Sequence, residues 1–169
     1  MSQHLKRTIA IVIVAVAAFA PALAFADGDV RVALVSQRVT LVKGKEVLVS
    51  AEKARPGDVI EYRAVYRNDG SAPVRELDAT LPVPNGLEYL PKTAAPAVVL
   101  ASTDGRTFAT VPLVRKTRTA DGREVVREVP LSEYRALRWS IGTLAAKEAR
   151  TVRARMRVAP LASVAVNAR

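Results

Sequence analysis

Basic side chains are the residues of this sequence best suited to chemistry, and that chemistry is the recognition of anions. They form two groups, one on a predicted strand and one in a predicted hairpin: Arg153, Arg155 and Arg157, and Arg115, Lys116, Arg118 and Arg123. Guanidinium groups make paired hydrogen bonds with phosphate and carboxylate. The two groups are therefore a candidate surface for phospholipid headgroups, lipopolysaccharide or acidic glycans. The alternative interpretation is a solvated strand face whose charges discourage unwanted edge pairing.

The rest of the composition excludes most catalytic chemistry. The 169 residues contain no cysteine, and their single histidine is His4. Disulfides, thiolate metal sites and cysteine nucleophiles are thereby excluded. A Ser–Lys or paired-carboxylate enzyme is compatible with the composition, but no such pair stands out, and there is no phosphate-binding loop or nucleophile elbow. We therefore predict a protein that is not an enzyme and that carries no cofactor.

Two pairs of residues with side-chain oxygens are the candidate calcium ligands. Asp27 and Asp29 form one, and Asn68 and Asp69 form the other. Calcium needs six or more converging oxygens, and the dense Asp-x-Asp-x-Asp-Gly spacing of a calcium loop is missing. Asn68-Asp69-Gly70 is more simply a turn, because these residue types tolerate positive φ. We predict no metal site.

The first 26 residues have the pattern of a secretory signal peptide. Lys6 and Arg7 precede an apolar run from Ile9 to Ala20, and Pro21 and Ala24-Phe25-Ala26 follow. A positive flank, a short apolar helix and a small-x-small end predict cleavage after Ala26. The alternative is an uncleaved membrane anchor, because the run approaches the roughly 20 residues that span a bilayer. We predict residues 27–169 to be one exported domain, periplasmic or secreted, that meets a membrane only if the signal segment is retained.

The net charge bears on possible partners. It is +10 for the whole chain, and loss of Lys6 and Arg7 would leave the exported chain strongly basic. Nucleic acid suits that charge but not an exported location, and aromatic residues that could stack on bases are few. An envelope protein or an anionic envelope polymer is the expected partner, and no residue pattern sets the oligomeric state.

Apolar residues recur at every second position, which is the period of β-strands. The clearest strand is Val59 to Asn68, with Ile60, Tyr62, Ala64 and Tyr66 on one face. A second runs from Val74 to Leu81, with Leu77, Ala79 and Leu81 inward. If the two strands were antiparallel neighbours, Arg63 and Arg67 would face Glu76 and Asp78 across them.

Further strands and turns follow the same alternation. Strands are expected at 30–35, 47–50 and 151–158, with a turn at Lys43-Gly44-Lys45. Hairpins are expected over 98–111 and 113–129. Leu137, Trp139 and Ile141 should face the core, with a turn at 142–144, and 144–150 is too short for an independent helix. Eight or nine short strands predict an all-β, antiparallel β-sandwich.

The order of these segments resembles the prokaryotic conserved repeat domain known as domain of unknown function 11. The matching segments are Pro56-Gly57-Asp58, Tyr62 to Asn68, Gly70, Leu81-Pro82, Gly86-Leu87-Glu88-Tyr89 and Trp139-Ser140-Ile141-Gly142-Thr143-Leu144. The resemblance covers about 52–158. It implies an immunoglobulin-like sandwich of exported and cell-surface proteins, in which the copies are often arranged in tandem.

The sequence departs from that family in three ways. It carries a single copy, Ala79 stands where an Asp is common, and 117–134 adds a charged hairpin. A stalk role and a family cation site are therefore not carried over. We expect an exported, non-enzymatic module of the bacterial cell envelope with structural or protein- or polyanion-binding roles. The alternative is a periplasmic assembly or chaperone-like factor that acts by β-strand addition, binding a strand of its partner at an exposed sheet edge.

Overall fold

The computed structural model describes residues 30–160 of the chain. The predicted signal peptide and the acidic pair Asp27 and Asp29 lie outside the described residues. Within 30–160, no helix is both long enough and apolar enough to cross a membrane.

Strands dominate the described residues. The order along the chain is β1 (Val30–Val42), β2 (Lys45–Ser50), β3 (Val59–Asn68), β4 (Val74–Pro82), β5 (Leu87–Tyr89), β6 (Leu100–Ser102), β7 (Ala109–Thr110), β8 (Val114–Arg118), β9 (Glu124–Glu128), the 3₁₀ turn η1 (Leu131–Glu133), β10 (Ala136–Leu144) and β11 (Ala149–Val158). The predicted strands and both predicted hairpins are confirmed, with β1 longer than expected.

Two sheets and a separate hairpin contain these strands. Sheet A has the order β2-β1-β3-β11-β5, sheet B has the order β4-β10-β6-β7, and β8 pairs only with β9. All the pairings are antiparallel. The all-β sandwich predicted from alternation is confirmed.

The condition under which Arg63 and Arg67 would face Glu76 and Asp78, a pairing of β3 with β4, is not met. β3 lies between β1 and β11 in sheet A, whereas β4 pairs with β10 in sheet B. The chain crosses from one sheet to the other between Asn68 and Val74, so Arg63 and Arg67 do not face Glu76 and Asp78. Arg63 instead binds Glu61 two residues earlier in its own strand, and Arg67 binds Asp69. Alternation identified the inward face of each strand but not its neighbours.

The inward faces of the two sheets form one hydrophobic core. Ala64, Tyr66, Val152, Ala154 and Met156 come from sheet A. Ala79, Leu81, Ala101, Leu137, Trp139 and Leu144 come from sheet B. The prediction that Trp139 is a core residue is confirmed, since it is 2% exposed and its indole N–H donates to the carbonyl of Pro96 at 2.7 Å.

The turn expected at Gly142-Thr143-Leu144 is wrong, because these residues belong to β10. Gly142 has φ of 74°, and the register between β10 and β4 shifts on both sides of it. Positive φ is typical of glycine at a β-bulge. The chain therefore bends at Gly142 without leaving the sheet, and it turns after Leu144.

Tyr66 links the two sheets through its hydroxyl group. The hydroxyl donates to the carbonyl of Thr80 and accepts from the amide of Thr80, both at 2.9 Å. Thr80 belongs to β4, the outer strand of sheet B, which pairs with β10. The Tyr66 hydroxyl therefore binds backbone groups on the outer edge of that sheet.

We expect Tyr66→Phe to lower the free energy of unfolding by about 1–2 kcal/mol, because both backbone groups of Thr80 lose a partner. Urea denaturation measures the change. Tyr62→Phe is the matched control, since Tyr62 lies on the same face and no side-chain hydrogen bond of its hydroxyl is present in the described structure. An equal loss in both variants would contradict the role assigned to Tyr66.

Candidate functional site

The outer face of sheet A carries a network of charges centred on Glu61. The Glu61 side chain is only 4% exposed although it lies on the solvent side of the sheet. It accepts from Arg63 at 2.9 Å, from the Nε of Arg155 at 3.2 Å and from Arg153 at 3.3 Å. Three guanidinium groups from two neighbouring strands therefore cover one carboxylate.

The pKa of Glu61 reflects two opposing effects, its burial and its pairing with arginines. Burial alone would raise the pKa of Glu61, but hydrogen bonds from Arg63 and Arg155, with the positive charges of Arg153 and Arg155, lower it below 4.5. Arg155 also forms a two-pronged pair with Glu46 of β2, at 2.7 and 3.0 Å. This pairing lowers the pKa of Glu46 and raises that of Arg155.

The three arginines predicted to share one strand face therefore differ in their ion pairing. Arg153 and Arg155 contact Glu61. Arg157 lies between Val59 of β3 and Glu88 of β5, is exposed, and forms no ion pair within the described part of the chain. The outer face is an ion-pair network with one open guanidinium group at its end. Glu46 and Glu61 were missed in the sequence, because only the strand register brings them beside the arginines.

The second predicted group lies on the β8–β9 hairpin, in a sheet of its own. Arg115 pairs with Glu133, Lys116 with Glu124 at 3.1 Å, and Arg123 with Asp121. Arg118 forms no ion pair with the residues described. The structure therefore places the two predicted groups on separate sheets, and five of the seven residues are ion-paired.

Other polar residues that could do chemistry are engaged in turns. Asp104 accepts from the amides of Arg106 and Thr107 and from the hydroxyl of Ser102, and these bonds hold the pKa of its carboxyl far below its usual range. Asn68 caps the β3–β4 turn, and Asp69 pairs with Arg31 and Arg67. Among residues 30–160, no three acidic or histidine side chains converge as a metal site.

Two clefts open beside the core. One, of about 630 Å³, lies against the stacked rings of Tyr89 and Tyr134 and is largely apolar, with Lys92 and Glu128 as its charged lining residues. The other, of about 480 Å³, lies beside Trp139 and Ile141. Neither cleft brings together a nucleophile and a general base from the described residues.

Comparison with known proteins gives no relative: no family model, no curated protein and no solved structure matches the chain. The class of protein defined by the fold is an all-β sandwich with a basic, ion-paired surface. Its functional assignment depends on the geometry of that surface.

Proposed function

We propose that this chain is an exported, non-enzymatic β-sandwich module of the bacterial cell envelope that acts through contacts with other envelope molecules. In this proposal the sandwich is immunoglobulin-like, in keeping with its resemblance to the prokaryotic conserved repeat domain, and the signal peptide is removed after Ala26. The supporting observation is the excess of basic over acidic residues, which gives +10 for the whole chain and stays strongly positive when Lys6 and Arg7 are removed with the signal peptide.

Arg118 and Arg157 are the two candidate residues best placed to bind an anion. Both are exposed, and neither forms an ion pair among the described residues, although Glu124 lies opposite Arg118 and Glu88 lies opposite Arg157. An arriving phosphate or carboxylate would therefore not have to displace an existing ion pair. The other five would first have to give up an existing pair. We therefore assign the main contribution to Arg118 and Arg157.

The test is retention of the purified chain on lipopolysaccharide-coated or anionic phospholipid vesicles. We expect Arg118→Gln with Arg157→Gln to lower the salt concentration needed for half-release, because each neutralised contact reduces the number of displaced counterions. Arg115→Gln with Arg123→Gln is the matched control, since it removes the same charge from two exposed candidate arginines that are already ion-paired. Equal effects of the two double variants, or retention that does not depend on salt, would overturn the assignment to these two residues.

Changing Arg153, Arg155 and Arg157 together is a less direct test, because Arg153 and Arg155 also neutralise Glu61. Their loss would weaken the fold and the binding at the same time. Adding Glu61→Gln to that triple variant separates the two effects, because the buried charge is then removed together with its partners.

The alternative function is a periplasmic assembly factor that acts by β-strand addition. The observation in its favour is that no strand of residues 30–160 pairs with the outer edge of β2, at one side of sheet A. This function predicts a secreted protein that co-purifies with the chain and contributes an extended segment to that edge. Isolation of the chain alone from cell extracts would count against it.

A further inference from the structure

Three of the four outer strands in the two sheets are protected against pairing with another chain. In β4, the backbone N–H and C=O of Thr80 are hydrogen-bonded to the Tyr66 hydroxyl, and Glu76 has a φ of 55°. β5 has three residues, with Pro91 two residues after its end, and β7 has two residues, with Pro112 two residues after its end. Shortness, proline and local kinks are the devices that block edge pairing.

The remaining outer strand, β2, is neither short nor kinked nor interrupted by proline, and its charged residues are Lys45 and Glu46 at its first two positions. Its six residues, Lys45–Ser50, contain no proline, and their pairing with β1 shows no shift in register. Val47 is 39% exposed, and the neighbouring Leu41 and Val42 are 70% and 49% exposed. A regular strand with apolar residues and an open edge is suited to pairing with another strand.

The turn before β2 determines which of its backbone groups are free. Lys43 and Gly44 have φ of 51° and 77°, and Val42 lies opposite Lys45. Positive φ at both central residues defines a two-residue type I′ hairpin, whose closing residues exchange two hydrogen bonds. Because hydrogen-bonded pairs alternate, Lys45, Val47 and Val49 bond to β1. The N–H and C=O groups of Glu46, Leu48 and Ser50 therefore point away from the sheet.

The opposite side of sheet A gives the same alternation. Arg153 and Ala95 exchange two backbone hydrogen bonds of 2.8 Å on the side of β11 that faces away from β3, and the amide of Asn68 donates to Glu148 on the other side. The residue partners of β11 with β3, β3 with β1 and β1 with β2 extend this alternation to β2. It again places the N–H and C=O groups of Glu46, Leu48 and Ser50 on the side away from β1. Six backbone groups thus lie along one edge that no described strand occupies.

We propose that this edge pairs with the same edge of a second copy of the chain, so that sheet A continues across a two-fold axis. In an antiparallel pair, opposite residues lie on the same face of the sheet. Leu48 lies opposite Leu48 of the second copy, and Glu46 lies opposite Ser50. This register uses all six free backbone groups, whereas a shift by one residue places inward residues opposite outward ones.

The side chains favour a second copy in this register. Val47 lies beside Val49 of the second copy on the inner face, which covers an exposed apolar side chain. Within Glu46–Ser50, Glu46 lies opposite the uncharged Ser50 of the second copy, so no like charges face each other in the paired segment. Self-association at β2 is independent of the proposed anion binding, because Arg118 and Arg157 are on other strands.

Sedimentation of the full chain over a range of concentrations tests the dimer. We expect Leu48→Pro to raise the dimer dissociation constant about 10- to 30-fold, because both copies lose an intermolecular donor. The Leu48 N–H points away from β1, so proline at this position removes no bond of the sheet. Leu48→Ala, which keeps the donor, is the control and should have a smaller effect. A wild-type chain that is monomeric at about 1 mM, where even millimolar dimers are populated, overturns the proposal.

Opposite charges at position 48 test the register and do not depend on how well the proline variant folds. Leu48→Lys and Leu48→Glu should each be monomeric at concentrations where the wild type is a dimer, because like charges meet at the two-fold axis. An equimolar mixture of the two should restore the dimer. Thr80→Lys and Thr80→Glu, on the protected edge of β4, should leave the wild-type dimer unchanged. Dimers in either single Leu48 variant, or no dimer in the mixture, overturn the proposed register.

Discussion

Replacing Asn68 with aspartate is expected to lower the free energy of unfolding by roughly 3–5 kcal/mol, the range for an uncompensated buried charge. Asn68 is fully buried, and its side-chain amide donates to the carbonyls of Ala72, Leu144 and Ala145 at 2.7–3.1 Å. An aspartate would direct a carboxylate oxygen at three carbonyl oxygens. The Asn68 side chain also accepts from the amide of Gly70, so it ties the β3–β4 crossing to the end of β10.

Urea denaturation at several pH values measures this effect. The loss should be smaller in acid, because a protonated aspartate can donate one hydrogen bond. Asp69→Asn is the control one residue later, and we expect it to cost less than about 1 kcal/mol, because Asp69 pairs with exposed arginines at the surface. Similar losses in the two variants would show that Asn68 does not have the structural role described.

Replacing both Arg153 and Arg155 with glutamine is expected to lower the free energy of unfolding at neutral pH by roughly 3 kcal/mol. Glu61 would keep Arg63 as its partner, but most of the charge that balances its burial would be gone. Adding Glu61→Gln should recover most of the loss, because the buried charge is then removed together with two of its three partners. A triple variant as unstable as the double variant would contradict this account.

The pH dependence of the same variants has a defined sign. In the wild type the pKa of Glu61 is lowered from 4.5 in the folded state, so its stabilising contribution is present above that pH and is lost as the pH falls through the lowered pKa. In the double variant, where Arg63 is the remaining partner, we expect the pKa of Glu61 to be higher than in the wild type because less positive charge opposes its burial. The stability difference between wild type and double variant should therefore shrink on acidification, which thermal melts between neutral and acid pH can measure.

The candidate anion surface could be predicted from the sequence only in part. Alternation correctly placed Arg153, Arg155 and Arg157 on one outer strand face, but their neighbours depended on which strands lie beside β11. Glu61 comes from β3, and Glu46 from β2, 109 positions away from Arg155. No local pattern specifies such pairings, because side-chain period determines a face and not a neighbour.

Asn68 gives a second case. Its position before Asp69-Gly70 indicated a turn, and the turn is present, but the sequence did not indicate that its side chain is buried. The three carbonyls it binds include two that follow it by 76 and 77 residues. A buried amide with distant partners cannot be distinguished from a solvent-exposed turn residue until both sheets are in place.

By itself, the sequence determined the strand periodicity, the all-β class, the hairpins and the inward face of each major strand, because these depend on residues only a few positions apart. The tertiary structure alone decided that β3 and β4 lie in different sheets, that Glu61 is covered by arginines and that the edge of β2 is left open. These features depend on contacts between distant segments, whose relative positions are set by the packing of both sheets on one core.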